Sequence, residues 1–355
     1  MKRFLLIAAL FIWTSLNAQV SKDDYLADFD YGVDMVETIY SGFDYKVTDY
    51  TRTSYVALKD SLRTAIANNQ AEFGEAFGCY LAWFKDYHLR DIYGDQRKYM
   101  TGPTDYSRFM DYAPIDVYGK VDDSCFLIRY TSCVWSRERR HWIDKAIKAF
   151  KKSDCENLIL DLRGNMGGST GTSDAFIKLL FEHDGHYNGT VIRNTPTSIQ
   201  FFRKTMKQDR YWQSHLDAAE SSDEEYPILF EPPTVHYGLS SDIPKKTAVI
   251  IDNNTASCAE EFILILQRVS DWIMVFGKEH SLGCHDYSNP GKVVLPKTEY
   301  AFMVPLTCSS GLPDTGIDDT GIIPDVVVDC DYPQVLTDNI DSWCQWVSSY
   351  LRDNG

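Results

Sequence analysis

From about residue 22 to 90, apolar side chains recur every three or four positions. The stretches DYLADFDYGVDMVETIYSGF, SYVALKDSLRTAI and NNQAEFGEAFGCYLAWFKDYHL each carry this helical period, and Asn68 and Asn69 break the second from the third. The pattern predicts a small helical N-terminal domain over residues 19–90. Residues 91–120, rich in Tyr, Asp, Gly and Pro, read as a connecting segment. Beyond them the texture changes. CFLIRYTSC (125–133) reads as strand, HWIDKAIKAFKK (141–152) as amphipathic helix, and NLILDL (157–162) as a buried strand that passes through a glycine turn into the helix TSDAFIKLLFEH (172–183). TAVIID and AEEFILILQRV repeat that plan, and WIMVFG (272–277) returns as strand. VVLP and YAFMVPL, separated by Lys297, Thr298 and Glu299, form a hairpin. The alternation predicts an α/β core with a mixed sheet over 121–335, followed by a C-terminal helix within 336–355. The charged, aromatic stretch from about 184 to 245 has no clear period and reads as a surface insertion in that core.

The first residues, MKRFLLIAALFIWTSLNAQ, stand apart from this pattern. Two positive charges precede an apolar run too short to cross a bilayer comfortably, and polar sequence follows, which is the form of a secretory signal covering 1–18. The expectation is an exported protein, periplasmic or extracellular, with no membrane anchor once the signal is removed. The net charge of −16 argues against nucleic acid and anionic membranes as partners. The nine cysteines form no CxxC pair and no Cys/His cluster of zinc type, so neither a metal nor a cofactor is expected. In an exported protein some would pair as disulfides, and an odd count leaves at least one thiol over.

Two turns could carry chemistry. In LDLRGNMGGS (160–169), Gly164, Gly167 and Gly168 allow positive φ and close backbone approach, so the turn could donate N–H groups to an oxyanion. It is neither a P-loop nor GxGxxG. Asp161 and Arg163 read as braces of the turn. In DNNTASCAEEF (252–262), Ser257 and Glu260 have the spacing of a capping box, which needs no function. Ser257 also sits where a buried strand turns into a helix, a position that suits a nucleophile because the helix N-terminus favours negative charge. Residues alone leave both readings open.

LILDLRGNMGGS resembles the strand and glycine turn of the tail-specific, C-terminal processing serine peptidases, a family that includes a tricorn-like branch. TASCAEEF is similar to that family's nucleophile segment, and Gly321-Ile322-Ile323-Pro324-Asp325 resembles its Gly-x-x-Pro-Asp signature. The resemblance implies a crotonase- and ClpP-like α/β fold and an exported serine endopeptidase with Ser257 as nucleophile. It also implies an oxyanion hole made by the backbone N–H groups of Cys258 and of Gly167 or Gly168. One branch of the family uses a lysine base beyond a Val-Gly turn; no lysine occupies the equivalent position, and Lys278 lies elsewhere in the turn. The tricorn-like branch uses a histidine in an Asp-x-His motif and an acidic residue before the signature, which points to His88 and Asp318, with His280 and His285 as rival bases. The usual acid there is Glu, one methylene longer. The stretch between His88 and residue 125 is too short for the PDZ domain that many members carry, so recognition of a free C-terminus is not implied. Peptides or unfolded proteins are the expected substrates, and oligomerisation stays open. The alternatives are a non-catalytic ligand- or peptide-binding protein on the same fold and, less consistent with export, an acyl-CoA enzyme.

Overall fold

The computed structural model describes residues 20–100, 114–207, 210–239, 244–333 and 340–354, so the expected signal at 1–18 lies outside the described residues. The chain begins with helices α1 (Lys22–Ile39), α2 (Phe43–Lys46), α3 (Arg52–Ala67) and α4 (Phe73–Ala82). The first opens on Ser21, whose hydroxyl accepts from Asp24 N–H while the Asp24 carboxylate takes the Ser21 N–H. Next come β1 (Arg90–Asp91), β2 (Val117–Lys120), β3 (Cys125–Arg129), α5 (Arg137–Lys151), β4 (Asn157–Asp161) and α6 (Asp174–Leu180). The insertion holds β5 (Gly185–His186), β6 (Thr190–Ile192), α7 (Pro196–Thr205), α8 (Arg210–Glu220), β7 (Ile228–Phe230) and β8 (Thr234–Val235). The chain finishes with β9 (Lys246–Ile250), α9 (Cys258–Val269), β10 (Ile273–Gly277), β11 (Tyr287–Val294), β12 (Ala301–Ser309), β13 (Val326–Val327) and α10 (Ser342–Asp353).

The main sheet runs β13-β10-β9-β4-β3-β2, parallel throughout except that β2 is antiparallel to β3. Its central strands are apolar on both faces because helices cover both. Ile143 of α5, Phe176 of α6 and Phe262 of α9 pack on one side, and Trp343 and Val347 of α10 on the other. In the second sheet, antiparallel throughout, β12 is flanked on one edge by β11 and on the other by β1 and β6, with β7 outside β6. The expected hairpin is therefore present, and its strands extend well beyond the two apolar runs.

Two expectations change. The N-terminal helices do not close a core of their own: Phe29, Val36, Phe77 and Tyr80 share one cluster with Val293, Phe302 and Leu306 of the second sheet. The insertion is not a loose surface excursion either, since Ile199, Phe202, Leu216 and Leu229 bury into that same cluster. Its strands are two or three residues long, too short to show a period. Among the described residues no helix is long and apolar enough to cross a membrane, and all nine cysteines are free thiols.

A fully buried ion network ties α10 to the sheet. Asp161 accepts from Arg129 Nε at 2.7 Å and from Arg163 Nε at 2.9 Å, and Asp341, the N-cap of α10, accepts from both arginines at 2.8 and 2.7 Å. Asp161, Asp341 and Cys344 converge as metal ligands would, but the two guanidinium groups already neutralise the two carboxylates. Asp161 and Arg163 thus brace the glycine turn from below.

Candidate active site

Because β4 and β9 are neighbours in parallel register, with Asp161 opposite Ile250, the turns that follow them emerge side by side at the carboxyl end of the sheet. They are stitched together: Ala256 N–H donates to Asn165 O at 2.9 Å, and Thr255 Oγ1 to Leu162 O at 3.0 Å. Gly167 lies so close that a Cβ would stand 2.8 Å from Ala256 O, Cys258 N and Ser257 Cβ. Gly168 has φ +149° and abuts the backbone of Cys133 and Val134. Only glycine lets the first turn approach the second so closely.

Ser257 occupies the N-cap of α9 with φ 55° and ψ −122°, a conformation L-residues rarely adopt. The strained turn projects it, partly exposed, into a cleft of about 1210 Å³ that is also lined by His88, Gly168, Cys258 and His285. Glu260 completes its half of the capping box by accepting from Ser257 N–H at 2.8 Å. It does more. Fully buried, it also accepts from Ser281 Oγ at 2.6 Å, Gly283 N–H at 2.6 Å and Cys284 N–H at 3.1 Å, clamping the loop after β10 against the Ser257 turn. Burial raises the Glu260 carboxyl above its ordinary range, against four donors that favour the anion. The sequence shows Glu260 only as a helix cap; its reach across 24 residues to the next loop has no local signal.

His88 comes from irregular chain between α4 and β1, not from a helix end, because the helix stops at Ala82 and Lys85 turns left-handed at φ 54°. Asp86 Oδ1 accepts from His88 N–H at 2.8 Å, and Asp86 Oδ2 from the Tyr40 hydroxyl at 2.9 Å, which anchors the Asp-x-His turn to α1. His88 Nδ1 lies 2.6 Å from Tyr287 O. A carbonyl can only accept, so Nδ1 carries the proton, and in the neutral ring Nε2 keeps its lone pair.

Asp318, expected to hold His88, does not bond to it here. Its Oδ2 forms an ion pair with Lys46, and its N–H donates to Asp286 Oδ2 at 2.6 Å. Its Oδ1 is buried and accepts from no described residue. Burial pushes Asp318 up to about 7; Lys46 pulls it down, while Asp86 and Asp286 push the same way as burial. Lys46, Asp286 and Tyr287 were missed in the sequence because nothing local marks them.

The rival bases separate. Lys278 pairs with Asp331 at 3.1 Å and His280 Nδ1 with Ser281 O at 2.6 Å, and neither lines the cleft. His285 does line it, but its Nε2 is engaged by the Tyr187 hydroxyl at 2.5 Å, and burial together with neighbouring His88 pushes it down to about 4. Of the oxyanion candidates, Gly167 N–H is taken by Asn165 Oδ1 at 3.0 Å, whereas neither the Gly168 nor the Cys258 N–H donates to a backbone carbonyl of the described residues. Cys258 Sγ turns away toward Gly168 O at 3.3 Å, and burial pushes its thiol up to about 11.

The comparisons with known proteins agree with this architecture. The model of peptidase family S41 matches residues 125–328, more than half of the chain. Mature CPAF in complex with lactacystin superposes with a TM-score of 0.60 at 11% identity, over 94% of this chain and 97% of that one. A provisionally assigned peptidase from Parabacteroides merdae ATCC 43184 gives 0.57 at 16% identity, over 94% and 96%. At such identities the likeness is one of fold. No curated protein matches the chain.

Proposed function

The chain belongs to peptidase family S41, and from that premise we propose that it is a serine-type endopeptidase that works through an acyl-enzyme. The observation that carries the reading is Ser257, held at φ 55° on a strand-to-helix turn and facing the same cleft as His88. In this reading Ser257 Oγ attacks the peptide carbonyl while His88 Nε2 takes its proton. The N–H groups of Cys258 and Gly168 hold the oxyanion, His88 returns the proton to the departing amine, and water releases the acyl group by the same route. The Tyr287 carbonyl fixes the tautomer this requires. His285, held at about 4, is a poor proton acceptor at neutral pH and is already engaged by the Tyr187 hydroxyl, which leaves His88 as the base. Asp318 enters as the carboxylate that takes over His88 Nδ1–H from the Tyr287 carbonyl when its pair with Lys46 opens; its unbonded Oδ1 suits that part.

The Asp318–Lys46 pair also supports a second reading, a binding protein that keeps the fold without catalysis. A fluorophosphonate probe separates the two. The peptidase reading expects labelling of the native protein, none in Ser257→Ala, and loss of casein cleavage in a folded His88→Ala variant. Equal labelling of native and Ser257→Ala protein would remove Ser257 as nucleophile. We also read the charged, apolar start of the chain as an export signal, with peptides or unfolded proteins outside the cytoplasm as substrates. N-terminal sequencing of the purified protein should then begin at Gln19.

A further inference from the structure

The cleft beside Ser257 has a one-sided charge. Glu231, Glu261 and Asp286 line it, and no Lys or Arg among the described residues does. The three acids are not equivalent. Asp286 Oδ2 is held by the N–H groups of Ile317 and Asp318, both at 2.6 Å, and Glu231 is exposed at the rim. Glu261 stands on the first turn of α9, four residues after Ser257, and lines the same cleft. Its carboxylate lies beside the side chains of Thr170 and Cys258, and no described Lys or Arg forms an ion pair with it. Burial pushes it upward, and no cation among the described residues offsets that cost.

A carboxylate on the wall of the cleft that also holds Ser257, partly exposed while the cleft is open and covered once substrate fills it, is costly unless something brings the charge. Apart from the histidines His88, His215 and His285 of its lining, substrate is the component of the cleft that can bring it. An extended peptide advances about 3.3 Å per residue, so the side chains that reach Glu261 belong to residues within about two positions of the bond under attack. A long basic side chain fits the rest of the lining as well. Its stem can lie along apolar wall from the insertion, where Trp212 and Phe230 meet with ring centroids 4.4 Å apart, while its head meets the acid.

We infer that Glu261 selects substrates that carry Lys or Arg within two residues of the scissile bond, by pairing with the ammonium or guanidinium group. The inference rests on the peptidase reading for its mechanism, but the charge preference belongs to the cleft itself. The test compares peptides that differ only by Lys against norleucine at each position flanking the cleaved bond. The native enzyme should favour Lys by about tenfold to a hundredfold in kcat/KM at one such position, the factor that a single hydrogen bond to a charged group is worth. Glu261→Gln should bring the ratio to near one, and Glu261→Lys should favour Asp or Glu there. A native ratio near one at every position, or a ratio that survives in Glu261→Gln, overturns the inference and leaves the peptidase reading standing. Should the native protein cleave none of the peptides, that reading fails, and binding of the same peptides to Ser257→Ala by calorimetry decides the inference alone. Tighter binding of the Lys peptide that weakens with added salt supports it, and equal binding overturns it. The salt titration uses an unaltered Glu261, so it stands even if the Glu261 variants fail to fold.

Discussion

Glu260→Gln tests how the site is assembled. In the native protein Glu260 Oε1 accepts from Ser281 Oγ and Gly283 N–H, both at 2.6 Å, and Oε2 from Ser257 N–H at 2.8 Å and Cys284 N–H at 3.1 Å. Glutamine turns one of those oxygens into a donor. Placed at Oε2, the new amide confronts two backbone N–H groups, neither of which can accept. At Oε1 it confronts Gly283 N–H and the Ser281 hydroxyl, which can turn to accept. The second orientation is preferred, yet it still strands one buried N–H, at a cost of about 1–3 kcal/mol, and it removes the charge from the remaining bonds, each worth about 1.5–3 kcal/mol with the anion against about 1 without it. Burying a neutral amide in place of a carboxylate returns part of this. The net expectation is a loss of about 2–4 kcal/mol. Urea unfolding with linear extrapolation measures it, provided the slope with urea is unchanged. Because Ser257 N–H and the loop after β10 hang on the same carboxylate, fluorophosphonate labelling should slow even where the variant is folded. A variant as stable as the native protein and labelling at the same rate would refute the reasoning. It would show that the carboxyl is held neutral, with its four donors contributing little.

Two other outcomes follow from the same geometry. Gly168→Ala drives a Cβ into the Cys133–Val134 backbone at φ +149°, so the amide proposed to hold the oxyanion must move; labelling should fall at least about a hundredfold, and labelling within a few fold of native would remove Gly168 from the proposed oxyanion hole. Asp318, held up to about 7 when folded and near its ordinary value of about 4 when unfolded, keeps an extra proton in the folded state between those limits. Stability should therefore fall as pH rises from about 4 to 7 and level off above, and Asp318→Asn should flatten that segment of the profile; identical profiles would refute the assignment.

Much of this protein is legible along the chain, because strands such as Leu158–Leu160 and helices such as α9 announce themselves by the local period of their apolar residues. The glycine turn and Ser257 are legible for the same reason: each lies where one period gives way to another, and a strand that passes into a helix within a few residues leaves its signature in sequence. His88 could be singled out only by resemblance, since one histidine after an aromatic helix has no local mark. Periodicity says which face of an element is apolar but not which partner covers it, so the helical start reads as a separate domain although its apolar face closes on β11 and β12. The insertion is hidden for a related reason. Its short elements become stable only against a surface formed elsewhere.

The relation of the parts to one another was decided in three dimensions. Parallel pairing of β4 with β9 sets the two turns side by side. Glu260 joins the Ser257 turn to a loop more than twenty residues away, and Lys46 of α2 captures the carboxylate that sequence assigns to His88. Each of these contacts joins groups distant in the chain, and buried charges choose partners by distance and desolvation, for which sequence order carries no record. The sequence by itself determined which residues could react. The tertiary structure determined which of them meet.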